Sequence, residues 1–371
     1  MKIISLQKNL KNCLYSVNHI AQKNSSLPIL NNILISAHDG IINLITTNLE
    51  LGITATLRGK IEEEGSFTVD SRILSDYIVL LNNEKISLKL DDTNLLVECG
   101  SSKTKIKGSS AEEFPLIPKI ERSEYIKINL EDFKKALAQV VFSVSSDEAR
   151  VELSGLLFSL DNKIMTIVGT DSYRLAEKKI EIENHFSQNR QLIIPVKTIQ
   201  ELIRIISSEP GDEENVTDVL LYASDNQCLF VVGGIEMVSR LIEGHYPDYQ
   251  QIIPQKSNCQ ASFSREEIVR AVKAAAIFSR AGVNDINLAF SKSGLEISSA
   301  SGQTGEHQAL IEGVITGVDT AITLNYRYVL DGLAALSGTS AVFSIVNDQT
   351  PCILQDEADT NYRYIIMPIK K

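Results

Sequence analysis

Three segments of this chain follow one template, and a repeat in phase constrains the fold more than any single motif does. They are VDSRILSDYIVLL from Val69, IPVKTIQELIRII from Ile194 and LNYRYVLDGLAAL from Leu324, spaced 125 and 130 residues apart. In each, a basic residue (Arg72, Lys197, Arg327) is followed two positions on by an aliphatic (Leu74, Ile199, Val329) and four positions on by an acid (Asp76, Glu201, Asp331). Apolar residues come next at Ile78 and Leu81, Ile203 and Ile206, Leu333 and Leu336. That spacing lines one face of a helix.

Two more elements repeat in the same phase. ISLQKNLKNCLYSV, INLEDFKKALAQVVFSV and ASFSREEIVRAVKAAAIFS each pass from a short alternating stretch into an amphipathic helix, with Ser264 as an expected N-cap and acids at Glu131-Asp132 and Glu266-Glu267 in the first turn. Between the two helices of each repeat, LITTNLEL, TIVGTDSYRL and EISSASGQTG place Asn48, Asp171 and Ser301 at corresponding turns, flanked by the apolar–polar alternation of antiparallel hairpins. The seams carry proline: FPLIP from Phe114 and YPDYQQIIP from Tyr246 hold four of the nine prolines. The expectation is an α+β chain of three tandem domains, each with two helices and an antiparallel sheet, over residues 1–120, 121–254 and 255–371.

A length of 371 residues with 43% hydrophobic content fits such a multi-core chain. No apolar run approaches the roughly 20 residues of a membrane span, and MKIISLQKNLKN has too short an apolar stretch for a secretory signal. A soluble cytoplasmic protein with no membrane partner is expected. Cys13, Cys99, Cys228, Cys259 and Cys352 show no paired spacing, and the five histidines form no ligand-like HxH or HExxH, so no metal, disulfide or cofactor is expected.

The net charge of −11 argues against a polyanionic partner, yet the distribution argues for one. Residues 8–18, 133–145 and 268–280, taken from the three first helices, hold seven Lys or Arg and no Asp or Glu in 37 positions. At the chain's overall content of 47 acids in 371 residues, between four and five would fall there. Acids gather in EEEG at Glu62 to Glu64, EKKIEIE at Glu177 to Glu183 and GDEEN at Gly211 to Asn215, read as loops and outer strands. An acidic chain with basic repeated helices can present one cationic surface to duplex phosphates, and no aromatic platform accompanies it for single-strand binding.

LPILNNILI at 27–35, GTDSYRLA at 169–176, YPDYQQIIP at 246–254 and the closing YIIMP together resemble the bacterial DNA polymerase III beta subunit, the sliding clamp family, in phase over the whole chain. The resemblance implies three similar domains per chain and a head-to-tail homodimer forming a six-domain ring, helices inside and sheets outside. Such a ring encircles duplex DNA without sequence preference, is opened by a clamp loader, tethers the replicative polymerase and catalyses nothing. It also implies a pocket between the second and third domains that takes short linear motifs of polymerases, loader, mismatch-repair and initiation-control factors. Carried over by motif, that pocket holds Leu153, Thr170, Arg174, Leu175 and Pro247 together with Ile252, Tyr328, Met367, Pro368 and Ile369.

On the same footing, Lys23, Arg72, Lys134, Lys135, Lys197, Arg270 and Lys273 are expected to face DNA, and Ile277 and Phe278 to meet Lys103 and Ile106 of the strand SKTKIKG across the ring seam. Three departures touch the pocket and the terminus. The usual Gly-His of TDGHRLA is Ser172-Tyr173, a basic residue common after PDY is Gln251, and Lys371 closes the chain.

An enzyme is the first rival. GxSxG, a P-loop, GxGxxG with a following acid and HExxH are missing, and SLQK at Ser5 to Lys8 matches SxxK without its companion motifs. Asp171 and Arg174 could mimic a catalytic pair, but Asn48 and Ser301 at the corresponding turns mark a structural position. The second rival, a protein-binding scaffold with no role on DNA, is disfavoured by the acid-poor helices.

Overall fold

The computed structural model describes residues 1–21, 27–147, 149–207 and 216–370. Lys23, the acids of 211–215 and Lys371 lie outside them. Six helices carry the repeat: α1 (Gln7–Asn18), α2 (Ser71–Leu80), α3 (Leu130–Val140), α4 (Val196–Ser207), α5 (Arg265–Ile277) and α6 (Tyr326–Ala335). The template's aliphatics Leu74, Ile199 and Val329 are all fully buried, as one-faced helices require. Asp70 Oδ1 accepts the Ile73 N–H at 2.8 Å and Asn325 Oδ1 the Arg327 N–H at 2.9 Å, closing the starts of α2 and α6. Ser264 holds the N-cap position of α5 but makes no side-chain capping bond.

The template's charge pair diverges among copies. Arg72 and Asp76 approach to 3.6 Å, whereas Glu201 meets Arg204 at 2.6 Å and Asp331 meets Arg174. Two of the three turn positions keep one geometry, while at the third Ser301 Oγ accepts the Gln303 N–H at 3.4 Å. Asn48 Oδ1 accepts the N–H of Glu50 and Leu51 at 3.1 and 2.8 Å, and Asp171 Oδ1 those of Tyr173 and Arg174, both at 2.9 Å. The residue after each, Leu49 or Ser172, takes a positive φ of 76° or 75°. A short polar side chain bonding its own backbone makes such turns, so Asp171 has a structural use.

The chain forms two compact units, Met1–Glu131 with Ile182–Gln188 and Gln200–Leu241, and Asp132–Glu181 with Asn189–Ile199 and Ile242–Lys371. The first is built on one fourteen-stranded sheet, in which Ile235–Arg240 of the middle repeat pairs antiparallel with Leu51–Thr56 of the first. Leu10, Leu14 and Val17 of α1 and Leu74 and Ile78 of α2 pack in its core. The second contains a nine-stranded and a four-stranded sheet. Its interior is aromatic: Phe133 meets Phe158 edge-on at 6.0 Å, and Phe263, Phe290 and Phe343 lie 5.8–6.4 Å apart.

Cys99, Cys228, Cys259 and Cys352 are buried and Cys13 half-buried, none in a disulfide. Burial pushes the Cys228 thiol up to about 12, so it packs as an apolar group. One acid-rich stretch departs from expectation. Glu177 and Lys178 are 4% and 7% exposed, because the strand Arg174–Glu181 is interior to its sheet and each finds an opposite charge there.

Candidate docking site and charged helices

The site grows from the turn that joins Ile164–Thr170 to Arg174–Glu181. Thr170 Oγ1 donates to the Arg174 carbonyl at 2.6 Å and accepts the Ser172 N–H at 3.1 Å. Arg174 is thereby aimed back over the turn. Its guanidinium donates to Asp171 at 3.0 Å, to the Phe142 carbonyl at 2.8 Å and to Asp331 on α6. It also stacks 4.6 Å from the Tyr328 ring centre and 5.4 Å from that of Phe142. Burial opposes the charge on Arg174, but the Tyr364 hydroxyl and the Asp331 and Asp171 carboxylates outweigh it and raise the guanidinium pKa. Arg174 and Tyr328 are therefore joined, in a role the sequence did not show: tying α6 to the turn.

Beneath the turn, Leu175 belongs to a cluster with Leu157, Val168, Ile193, Tyr249, Ile253 and Ile365. Leu153, Leu175 and Thr170 are 2%, 1% and 6% exposed, so they form a floor and offer little surface themselves. Tyr249 Oη donates to Glu177 at 2.9 Å, and Arg363 reaches the same carboxylate at 3.3 Å. This anchors the short helical turn Tyr249–Ile252, which holds Ile252 41% exposed. Pro247 is exposed beside it.

The tail extends the strand Asp359–Ile366, which pairs with residues 174–178 and 352–356. Beyond it, Met367 N–H donates to the Tyr173 carbonyl and Ile369 N–H to that of Thr323, both at 2.9 Å. These bonds fix the backbone and leave Met367, Pro368 and Ile369 half-buried. Ile252 and Met367 meet in one cavity of about 400 Å³, also lined by Gln251, Lys256, Val346 and Pro351. Val346, Lys256 and Pro351 carry no periodic or motif signal in the sequence; only the pairing of the tail strand brings them near Met367. The other expected pocket residues do not line this cavity.

The basic helices keep their charges outward. Lys135, Lys197, Arg270, Lys273 and Arg72 are exposed and Lys134 half-buried. Acids are not wholly excluded, since Glu131, Asp132, Glu266 and Glu267 stand exposed in the first turns of α3 and α5. There they meet the positive end of the helix dipole, so the depletion applies beyond the first turn.

The expected seam residues separate. Ile277 is 69% exposed at the end of α5, and Phe278 stacks on His307 at 5.8 Å. Ile106, at 6% exposed, points into the core and is corrected from contact to packing residue. Lys103 and Lys105 are neutralised within their own sheet by Glu98 and Asp91, both at 2.6 Å. What strand 102–109 leaves open is backbone: it pairs fully with 94–99 but with residues 68–69 only through Gly108 and Ser109. Among the described residues, strand 305–311 pairs only with 294–301.

Models of the N-terminal, central and C-terminal domains of the DNA polymerase III beta subunit match residues 1–118, 127–248 and 250–370. The beta sliding clamp of Staphylococcus aureus is 29% identical over 357 residues, 93% of either chain. A putative DNA polymerase III beta subunit from Eubacterium rectale superposes with a TM-score of 0.92 at 26% identity, over 100% of both chains. The Pseudomonas aeruginosa beta subunit has the same fold, with a TM-score of 0.94 at 22% identity over 100% of both chains.

Proposed function

The chain belongs to the DNA polymerase III beta subunit family, and from that premise we propose that two copies close head to tail into a ring whose passenger is duplex DNA. A sliding clamp is a processivity factor that works by tethering its polymerase and performs no chemistry. A heterologous contact between three-domain arcs closes after two copies when each domain turns the path by about 60°. The boundaries near residues 120 and 254 are the joints of that arc.

The phase-locked repetition of α1, α3 and α5 with their exposed basic residues supports duplex as the passenger. Lys134, Lys135, Arg270 and Lys273 would reach phosphates through water, within a Debye length of about 8 Å. No base contact then creates a deep well, and the ring slides. The open backbone edges of strands 102–107 and 305–311 support a seam made by sheet extension, with Ile277 and Phe278 beside it.

The cavity shared by Ile252 and Met367 supports docking of apolar short linear motifs from polymerases, the loader, and repair and initiation-control factors. Methionine adapts to varied side chains, and a tail already hydrogen-bonded to Tyr173 and Thr323 lowers the ordering cost. The setting is the cytoplasm, at replicating DNA. Among the described residues no helix is long and apolar enough to cross a membrane.

Retention on DNA tests the ring. The protein is loaded with a clamp loader onto nicked circular plasmid, half the sample is linearised, and both are eluted at high salt. Loss from linear DNA alone is the expected result. Equal loss from both, with loader activity confirmed, would mean ordinary electrostatic binding and overturn the proposal.

A further inference from the structure

The cavity that Ile252 and Met367 share has one cation in a largely apolar wall. Among the described residues of the lining, Lys256 alone carries a formal charge. It is exposed, and no described residue forms an ion pair with it. Other lysines of this chain find acids: Lys2 meets Glu62 at 2.7 Å, and Lys103 and Lys105 meet Glu98 and Asp91, both at 2.6 Å. Asp248, on the same loop as Lys256, is taken instead by Gln251 Nε2 at 2.8 Å.

The backbone that carries Lys256 is held on both sides. Upstream, Ile253 is 7% exposed and Pro254 fixes its own φ. Downstream, Asn258 donates its backbone N–H to the Ile345 carbonyl and Nδ2 to the Val346 carbonyl, both at 2.9 Å. Val346 also lines the cavity, so these bonds tie the lysine segment to the wall. The turn leading to Thr350 and Pro351 of the lining is closed in the same manner, with Asn347 Oδ1 accepting the N–H of Gln349 and Thr350 at 2.8 and 2.9 Å. A long flexible side chain therefore rises from a fixed base, and its methylene stem can lie along the apolar wall while the ammonium stays in water.

The ammonium is what the lining leaves unanswered. A peptide side chain that fills the apolar wall strips water from its flank, and a cation losing water there needs a charged acceptor. An uncharged polar group would supply a hydrogen bond without neutralising it.

We propose that Lys256 is a specificity-determining residue of the cavity, taking the carboxylate of an Asp or Glu side chain in the docked peptide while Ile252 and Met367 take an apolar neighbour. The proposal rests on the docking reading of this cavity and narrows its ligand from an apolar segment to an acidic and apolar one. The chain's net charge of −11 sharpens the choice, because an acidic segment is repelled by most of the surface and held where a lysine stands without an acid.

A C-terminal peptide of the replicative polymerase is titrated unaltered, with each side-chain carboxyl changed singly to its amide, and with the chain-terminal carboxyl amidated. Each form is measured on wild type, Lys256→Gln and Lys256→Arg. The expected result is one side-chain amide that weakens binding to wild type and to Lys256→Arg by about fivefold, as loss of a partly exposed charge pair should, and leaves binding to Lys256→Gln unchanged. That coupling should shrink at high salt. A peptide that binds wild type with no side-chain carboxyl coupled to Lys256, or with coupling through the chain-terminal carboxyl alone, would overturn the proposal and leave the docking reading standing. No binding of the unaltered peptide to wild type would overturn both.

Discussion

Lys178 Nζ lies 2.6 Å from both carboxylate oxygens of Asp359, and the two side chains are 8% and 9% exposed. The pair ties the strand Arg174–Glu181 to the first residue of the tail strand, and Gln139 of α3 adds a longer bond at 3.4 Å. Removing one partner strands the other charge where water does not reach. Asp359→Ala should cost about 3–5 kcal/mol in urea unfolding, whereas Lys178→Met with Asp359→Leu should come within about 1 kcal/mol of wild type. Equal losses from the single and double changes would show that shape, not charge, carries the contact.

The same pair sets an acid dependence. Burial pushes the Asp359 carboxyl up, but the Lys178 hydrogen bond and charge outweigh it and hold its pKa below the usual value. A folded pKa below the unfolded one stabilises at pH above the ordinary carboxylate range of about 4 and is lost as pH falls through the folded value. Stability should therefore drop on acidification below about pH 4. In Lys178→Met the Asp359 contribution to that drop should shrink or reverse, because burial is then opposed only by the longer Gln139 bond and the Lys135 charge. An unchanged acid limb in urea titrations at each pH would remove Asp359 as its source.

Much of this was legible because packing repeats leave periodic traces: all six helices and the Asn48 and Asp171 turns follow from spacing. The junctions were not. Arg174 reads as a pocket residue in the sequence, yet it acts through Asp331, 157 positions away, and no spacing rule links a strand start to a helix in another repeat. The seam role of Ile106 rests on resemblance alone, whereas the alternation of Lys103, Lys105 and Lys107 already puts the intervening residue on the other face, where it is buried. Lys256 and Val346 enter the cavity only because the tail strand is paired.

Gly332 sits inside α6 with its Cα facing Tyr364. A Cβ there would lie 2.3 and 2.4 Å from ring atoms of Tyr364, which is fully buried. Glycine to alanine within a helix ordinarily gains about 1 kcal/mol. Here overpacking of about 1–3 kcal/mol opposes that gain, so Gly332→Ala should be neutral to destabilising and lower the midpoint of thermal unfolding. A clear rise in the midpoint would mean that α6 moves freely over the tail strand.

Reversal of charge at Lys134, Lys135, Arg270 and Lys273 together separates DNA contact from folding. The side chains lie outside the core, three exposed and one half-buried, so sedimentation should return the wild-type mass. Loading on nicked plasmid should fall at least tenfold, with a weaker salt dependence, because each lost phosphate contact lowers the slope by about one. Normal loading would refute the assignment of α3 and α5 to the DNA path.

Deleting residues 367–371 tests the tail as a docking surface. The strand Asp359–Ile366 keeps its pairing on both sides, and the deletion takes away the bonds of Met367 to Tyr173 and Ile369 to Thr323. The freed carbonyls turn to water, so the stability cost should stay near 1 kcal/mol for each bond. The cavity, in contrast, loses Met367 from the lining it shares with Ile252. Titration with a C-terminal peptide of the replicative polymerase should then show affinity reduced at least a hundredfold, with dimer mass unchanged. Undiminished peptide affinity would place docking elsewhere and return the tail to a purely structural role.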